Sequence, residues 1–226
     1  ESTPPTEEPP EVEDNDDQTV PQLQPPAEPD DVREMTGVGR EGGQYFSRNG
    51  VYLYDRTNKG LDPSVFDAGA VHFGLGEGPQ ILILHTHGSE AYTPPPGTDI
   101  VWSGNYRTTD SRYNVVGVGD EMAEVFTAAG ISVLHDRTLY DYSSYNDAYN
   151  NALAAIETYL AEYPSIRFIL DVHRDAIGDA EGNQYKVISE IDGVGTSAQM
   201  TLVMGSDGSG LAHEHWMENL KLAVAL

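Results

Sequence analysis

The run QILIL at residues 80–84 decides the fold class of this chain. It is short, continuously apolar and preceded by a Gly-Pro turn, which is the pattern of a β-strand buried on both faces of a parallel sheet. The polar motif HTHGSE at residues 85–90 begins where this run stops. The run therefore predicts a central strand with chemically active side chains at its carboxyl end.

Helices and strands alternate after this strand. Residues 114–129 place apolar side chains at helical spacing, and a strand follows at residues 131–134. Residues 145–163 predict a second helix, and IRFILDV at residues 166–172 predicts a second buried strand. The order predicts an α/β fold with a mostly parallel twisted sheet and flanking helices.

Further elements are predicted on both sides of this unit. VYLY at residues 51–54 reads as a strand, and residues 186–191 and 199–204 read as two more strands joined by a turn at Asp192-Gly193. Residues 216–226 predict an amphipathic helix.

Composition divides the chain in two. Residues 1–36 are dominated by Pro, Glu, Asp and Gln, which bury too little apolar surface to offset the entropy of ordering, so they predict a disordered acidic linker. Residues 37–226 are expected to form one folded domain.

Charge and cysteine content exclude several functions. The formal charge of −25, from 12 basic and 37 acidic residues, repels nucleic acid backbones and anionic lipid headgroups. Because the chain has no cysteine, disulfides, thiolate nucleophiles and sulfur-ligated zinc are excluded, and His, Asp and Glu remain as metal ligands.

The two ends predict further chain on both sides. The sequence starts at Glu1 rather than Met, and the helix predicted at residues 216–226 has no capping Gly or Pro. No run approaches the roughly 20 apolar residues of a membrane helix. We expect a segment upstream and a continuation beyond Leu226.

Three side chains are the best candidates for a metal site. His87 and Glu90 follow one buried strand and His173 follows another, and strand ends of a parallel sheet lie at the same edge. Two imidazoles and one carboxylate suit catalytic zinc, which keeps a further position for water and lowers the pKa of that water to about 7. The spacing predicts a zinc-dependent hydrolase.

Other residues compete for roles around this site. Asp110 is a rival third ligand. His85 is a candidate catalytic residue that is expected to support the ligands, with direct ligation or a simple hydrogen bond to the backbone as its alternatives. Asp171 either orients His173 or forms a salt bridge with a neighbouring arginine. Arg174 is expected either to polarise a scissile carbonyl and steady an oxyanion, or to pair with its neighbour Asp175.

The remaining histidines and a tyrosine run have simpler interpretations. The histidines His72, His135, His213 and His215 read as packed or exposed side chains without a metal role. The run LYDYSSYNDAYN at residues 139–150 either lines a glycan groove or packs with its hydroxyls in water, and packing is the favoured interpretation.

Several segments together resemble a known family. HTHGSEAY at residues 85–92, the helix NVVGVGDEMAEVF from residue 114 and PSIRFILDVHRDAI at residues 164–177 are similar to the stage II sporulation protein P family. GVYLYDRT, TLVMG and the W-x-x-N-L pattern at residues 216–220 extend the resemblance over most of residues 51–226.

The resemblance implies a zinc-dependent N-acetylmuramoyl-L-alanine amidase. Its fold would be like those of other zinc cell-wall amidases and, more remotely, zinc carboxypeptidases. Its substrate would be peptidoglycan, with added endopeptidase action on cross-links, during engulfment of the forespore. The resemblance further implies a partner, stage II sporulation protein D, and an extracytoplasmic domain tethered by an N-terminal membrane helix through a variable linker.

One family feature is missing from these 226 residues. Members of the family continue to a strand with an L-x-E-V-G type motif, whose Glu resembles the general base of related amidases. Glu190, on a predicted strand, is a candidate to replace this general base, but a surface carboxylate is its simpler interpretation. We therefore expect a metal site with incomplete acid and base machinery.

Two alternatives from other classes stay open. A His-x-x-Glu pair with a later His also serves metallocarboxypeptidases and other amidohydrolases. The second alternative is a non-catalytic module that binds the wall or a partner and keeps the fold, with or without the metal, but catalyses no reaction.

Overall fold

A computed structural model describes residues 32–37, 39–67, 74, 76–92, 106–142, 144–210 and 212–226. The described strands are β1 (Val32–Thr36), β2 (Tyr45–Arg48), β3 (Val51–Tyr54), β4 (Ile81–Leu84), β5 (Val133–His135), β6 (Phe168–Asp171), β7 (Ile177–Gly178), β8 (Gln184–Ile191) and β9 (Gly195–Ala198). The helices are α1 (Val115–Ala128), α2 (Ala148–Glu162) and α3 (Trp216–Ala225), and short 3-10 helices cover Pro63–Asp67 and Asp207–Ser209.

β4 is the centre of a three-stranded parallel sheet. It lies between β5 and β6, with Ile81 opposite both Val133 and Phe168. Every residue of β4 is buried, because its two faces are covered and both of its edges are paired. Leu84 lies opposite Asp171, so the segments that follow β4 and β6 leave the sheet side by side.

α1 begins and ends where its sequence has capping residues. The side chain of Asn114 accepts a hydrogen bond from the backbone N–H of Val116 at 3.0 Å, which satisfies one of the free amides of the first turn. The helix ends at Ala128, and Gly130 follows with a φ of +82°, a conformation that glycine adopts without strain. α1 packs against β5 and β4.

α2 covers the other part of the core. Its Ala152 lies in a buried apolar cluster with Leu82, Leu84 and Ile166, and Ile156 and Tyr159 pack against that cluster. Small and apolar side chains on one side of the helix allow this close approach to the sheet.

The remaining strands form a mixed sheet and a hairpin. β8 is paired with β1 in parallel and with β7 and β9 in antiparallel orientation. β2 and β3 form a separate antiparallel hairpin. No helix within the described ranges combines the length and the apolar character that crossing a bilayer requires.

The α/β class is confirmed, but the prediction of a mostly parallel sheet is wrong. Parallel pairing holds for the sheet around β4 and for β1 with β8, whereas the other described pairs are antiparallel. The strands β7 and β9 are short, with sequences IG and GTSA, so no extended apolar pattern reveals them.

The strand predicted at residues 199–204 is also wrong. The chain reverses tightly at residues 192–194, and pairing with β8 starts at once, with Gly195 opposite Ile191. β9 therefore ends at Ala198, and just beyond it the backbone N–H of Gln199 donates to the carbonyl of Val187 at 3.3 Å. In the segment predicted to be a linker, β1 pairs with β8, while residues 1–31 lie outside the described part, and the boundary at residue 36 stays a prediction.

Candidate functional site

The turn after β4 is polar and nevertheless buried. His85, Thr86, His87, Ser89 and Glu90 all lie in the interior. Buried polar groups are retained only where hydrogen bonds or ligands replace water, so this turn needs partners from other segments.

Asp171, the last residue of β6, supplies two of these partners. Its carboxylate accepts hydrogen bonds from the backbone N–H of Thr86 at 2.8 Å and from the Thr86 hydroxyl at 2.6 Å. The backbone N–H of Val172 donates to the carbonyl of Leu84 at 2.9 Å. These bonds lock the two strand ends together and bring His173 against the turn.

His173 lies between two carboxylates. Its Nε2 is 3.0 Å from Asp171 Oδ2, and its Nδ1 is 3.5 Å from Glu90 Oε2. The hydrogen bonds to Asp171 and then to Glu90 raise the pKa of His173 to about 9, against the opposing effect of burial. Asp171 therefore fixes the ring and leaves Nδ1 directed at Glu90.

His87 lies beside His173 in a drier position. The centroids of the two imidazole rings are 5.4 Å apart. Burial lowers the pKa of His87, so its ring is neutral at pH 7. Its Nδ1 is buried without a hydrogen-bond partner, and the nearest carboxylate oxygen, on Asp141, is 3.8 Å away. This nitrogen is therefore a candidate donor atom for a metal ion.

Glu90 is held as an anion. Burial acts to raise its pKa, but the contacts with His173 and with the backbone N–H of Arg174, at 3.1 Å from Oε2, outweigh burial and lower the pKa. Oε1 lies 3.7 Å from Arg107 Nη2.

Sequence reasoning missed Asp141 and Arg107. The Asp141 side chain is fully buried and accepts hydrogen bonds from Ser89 N at 3.1 Å, from Ser89 Oγ at 2.6 Å and from Arg107. Arg107 in turn donates to Ser89 Oγ at 3.1 Å. Both residues belong to irregular segments with no ligand spacing, so no local signal marks them.

His85 points away from the other two histidines. Its Nδ1 lies 2.9 Å from the carbonyl of Val172, and its Nε2 lies 2.9 Å from Nε2 of His135. His135 Nδ1 is 3.0 Å from Asp120. Both ring nitrogens of His85 thus have partners outside the proposed ligand set, and its catalytic role stays a prediction.

Arg174 binds backbone rather than the predicted carboxylate partner. Its guanidinium donates to the carbonyls of Ala91 at 2.8 Å, Tyr106 at 3.2 Å and Asp175 at 3.3 Å. Its side chain therefore ties together the segments that flank Glu90. A direct role toward substrate stays a prediction.

The other candidates lie apart from this cluster. The carboxylate of Asp110 pairs with Arg112, and Glu190 accepts from Thr196 within the β8–β9 hairpin. His213 and His215 lie just before α3, and His72 lies outside the described residues.

The donor set at the two strand ends has the residue types of a zinc site. Across the part of the chain that the structure describes, no three His, Asp or Glu side chains are arranged as they stand to enclose an ion. Two ligand atoms on one tetrahedral zinc ion lie roughly 3.3 Å apart, and His173 Nδ1 and Glu90 Oε2 are 3.5 Å apart. With the unpartnered His87 Nδ1 beside them, these residues fit zinc in number and chemistry.

Comparison with known proteins gives one match. The family model described as stage II sporulation protein P matches residues 4–226. No curated protein and no solved structure matches the chain.

Proposed function

The chain belongs to the stage II sporulation protein P family, a family of sporulation proteins, and we propose that it is a zinc-dependent N-acetylmuramoyl-L-alanine amidase. The reaction would split the amide between the lactyl group of muramic acid and the first alanine of the stem peptide. Endopeptidase action on cross-links is part of the same proposal.

The convergence of two strand ends is the observation that supports this function most. Glu90 comes from the turn after β4 and His173 from the segment after β6, and their side chains meet at 3.5 Å with His87 alongside. The His and Glu side chains lie at the carboxyl edge of a parallel sheet, and α/β enzymes hold their reactive groups at this edge.

In this proposal His87, Glu90 and His173 hold the zinc ion. When bound, the ion supplies a Lewis acid that polarises a carbonyl and lowers the pKa of water to about 7. Asp171 holds the His173 ring by its Nε2 and leaves Nδ1 as the donor atom.

The surrounding residues keep the ligands in place. Asp141 holds the turn through Ser89, and Arg174 donates its backbone N–H to Glu90. Burial of the turn keeps water away from His87 and Glu90, and this strengthens their electrostatic interactions. The chain's own residues thus orient the donors before a substrate arrives.

The setting of the reaction belongs to the proposal as well. We place the folded domain outside the cytoplasm, on an upstream membrane anchor, with peptidoglycan as substrate and stage II sporulation protein D as partner. A fold related to zinc cell-wall amidases is consistent with the parallel sheet around β4.

Product analysis on purified peptidoglycan tests the function. Incubation with the zinc-loaded protein should release stem peptides with a free L-alanine amino group and leave glycan strands with free lactyl carboxylates, at a rate reduced by the expected lack of the general base. A chelator should abolish the release. Release of single C-terminal residues with the muramoyl amide intact would identify a carboxypeptidase instead, and binding without any cleavage would identify a non-catalytic module.

A further inference from the structure

Two exposed tyrosines lie on the imidazoles of the candidate site. The ring of Tyr145 stacks on His87 with centroids 4.5 Å apart and an interplanar angle of 18°. Tyr149 meets His87 edge-on at 5.2 Å and lies over His173 at 6.5 Å with an angle of 25°. Tyr145 is nevertheless 56% exposed and Tyr149 63% exposed.

The tyrosines of this run do not share one role. Tyr140 is partly buried, packs against the core cluster and donates its hydroxyl to Asp136. Tyr145 and Tyr149 instead leave more than half of their surface in water, beside the proposed ligands. The packing interpretation therefore holds for Tyr140, whereas Tyr145 and Tyr149 pack on one side and also present exposed ring surface beside the proposed ligands.

The exposed rings are held in position. The guanidinium of Arg107 lies 4.7 Å from the centroid of the Tyr145 ring, and Arg107 is itself paired with Asp141. Tyr149 belongs to the first turn of α2. An aromatic surface that is fixed before binding loses little conformational entropy when a ligand packs on it.

We propose that Tyr145 and Tyr149 form a subsite that binds an N-acetylated sugar ring of the glycan strand. A pyranose ring presents a flat apolar C–H face with hydroxyls at its rim, and a tyrosine ring presents an apolar face with a hydroxyl at its edge. The inference rests on the proposed function, because it takes the muramoyl amide to lie at His87 and His173, which leaves the adjoining sugar next to these rings.

Sugar binding can be measured without hydrolysis. A soluble oligomer of N-acetylglucosamine has no muramoyl amide, so its affinity, measured by calorimetry or by NMR titration, reports only the subsite. We expect Tyr149→Ala and Tyr145→Ala each to weaken binding about tenfold, which corresponds to about 1.4 kcal/mol. Tyr149→Phe keeps the ring and should retain most of the affinity.

The matched control is Tyr142→Ala. Tyr142 is 70% exposed in the same run, and no ring contact with either imidazole is seen for it within the described residues. Its substitution should leave the affinity unchanged. Zinc content and Tm of every variant should be measured alongside, so that a loss of binding is assigned to the missing ring.

Three results would overturn the inference. These are no binding of the oligomer by the unaltered protein, unchanged affinity in both alanine variants, and loss of affinity for a free stem peptide in place of the sugar. Failure of the proposed function gives a different result. In that case the protein releases no peptide from peptidoglycan, while its sugar binding still depends on Tyr145 and Tyr149.

Discussion

Asp141 illustrates how a single buried carboxylate organises the site. It is fully enclosed, receives hydrogen bonds from Ser89 and Arg107, and lies 3.8 Å from His87 Nδ1. A carboxylate in such a place stabilises the turn that carries two of the proposed ligands.

Replacing Asp141 should weaken metal binding without removing a ligand. In Asp141→Asn the amide accepts fewer hydrogen bonds from Ser89 and Arg107, so the turn loosens, and we expect zinc affinity to fall about 10- to 100-fold. Competition with a chromogenic chelator measures the change. Asp147→Asn alters an exposed carboxylate nearby and should leave zinc affinity unaltered, and equal affinities in both variants would contradict the role of Asp141.

The proximity of the three proposed ligands was predictable from sequence because of strand geometry. His87, Glu90 and His173 each follow a strongly apolar run, and parallel strands bring their carboxyl ends to one edge. Asp141 and Arg107 were not predictable, since they reach the site from irregular segments whose path is set by tertiary packing alone.

At the scale of elements, α1 approaches the sheet through a glycine. A Cβ on Gly119 would lie 2.5 Å from His135 Nε2 and 2.6 Å from His85 Nε2, far inside normal contact. The glycine therefore makes room for the two imidazoles between α1 and the β4–β5 pair.

Gly119→Ala should destabilise the protein despite the better helix propensity of alanine. Propensity alone would favour alanine by about 1 kcal/mol, but displacing two buried rings should cost more, giving a net loss of about 1–3 kcal/mol. Chemical denaturation measures the difference. Glu121→Ala, at an exposed position of the same helix, should change stability by no more than about 0.5 kcal/mol. A Gly119→Ala variant that is more stable than the unaltered protein would show that α1 does not lie in close contact with the two imidazoles.

The loop after β5 contains a pH-dependent contact. Burial acts to raise the pKa of Asp136, but hydrogen bonds from Tyr140 and Thr138 outweigh burial and lower the pKa below the usual 3.8. A carboxyl with a lowered folded-state pKa contributes stability above the unfolded pKa, and that contribution is lost as pH falls through the folded value.

Tyr140→Phe should cost about 1–2 kcal/mol at pH 7, because it removes a hydrogen bond to a buried charge. The difference from the unaltered protein should shrink as pH falls below 3.8 and through the lower folded-state pKa, where Asp136 becomes protonated. Urea unfolding at both pH values measures it. Tyr142→Phe, at an exposed position, should have no effect, and a cost for Tyr140→Phe that is independent of pH would exclude this ionic contact.

The sheets show which elements a sequence reveals. The sequence predicts four elements correctly, namely β4, β6, α1 and α2. Each contains an apolar run or an apolar periodicity, and such patterns indicate which residues are buried. β9 was not predictable, since GTSA becomes a strand only through the tight turn that places it against β8.

At the scale of the whole molecule, acidity limits what the protein can bind. The formal charge of −25 opposes long-range attraction of polyanions, so recognition of the proposed cell-wall substrate would rely on short-range contacts. Arg107 lies close to the negative charges of Glu90 and Asp141 at the candidate site, and Arg174 donates its backbone N–H to Glu90. The contact between the side chains at the two strand ends supports this region as the candidate functional one.

The zinc content of the purified protein tests the central claim most directly. Elemental analysis after dialysis should give about one zinc per chain, since two imidazoles and one carboxylate complete a catalytic site. His87→Ala and His173→Ala should each abolish this content, while His213→Ala and His215→Ala should retain it. Zinc that persists in the first pair of variants, or disappears in the second, would contradict a metal site at His87, Glu90 and His173.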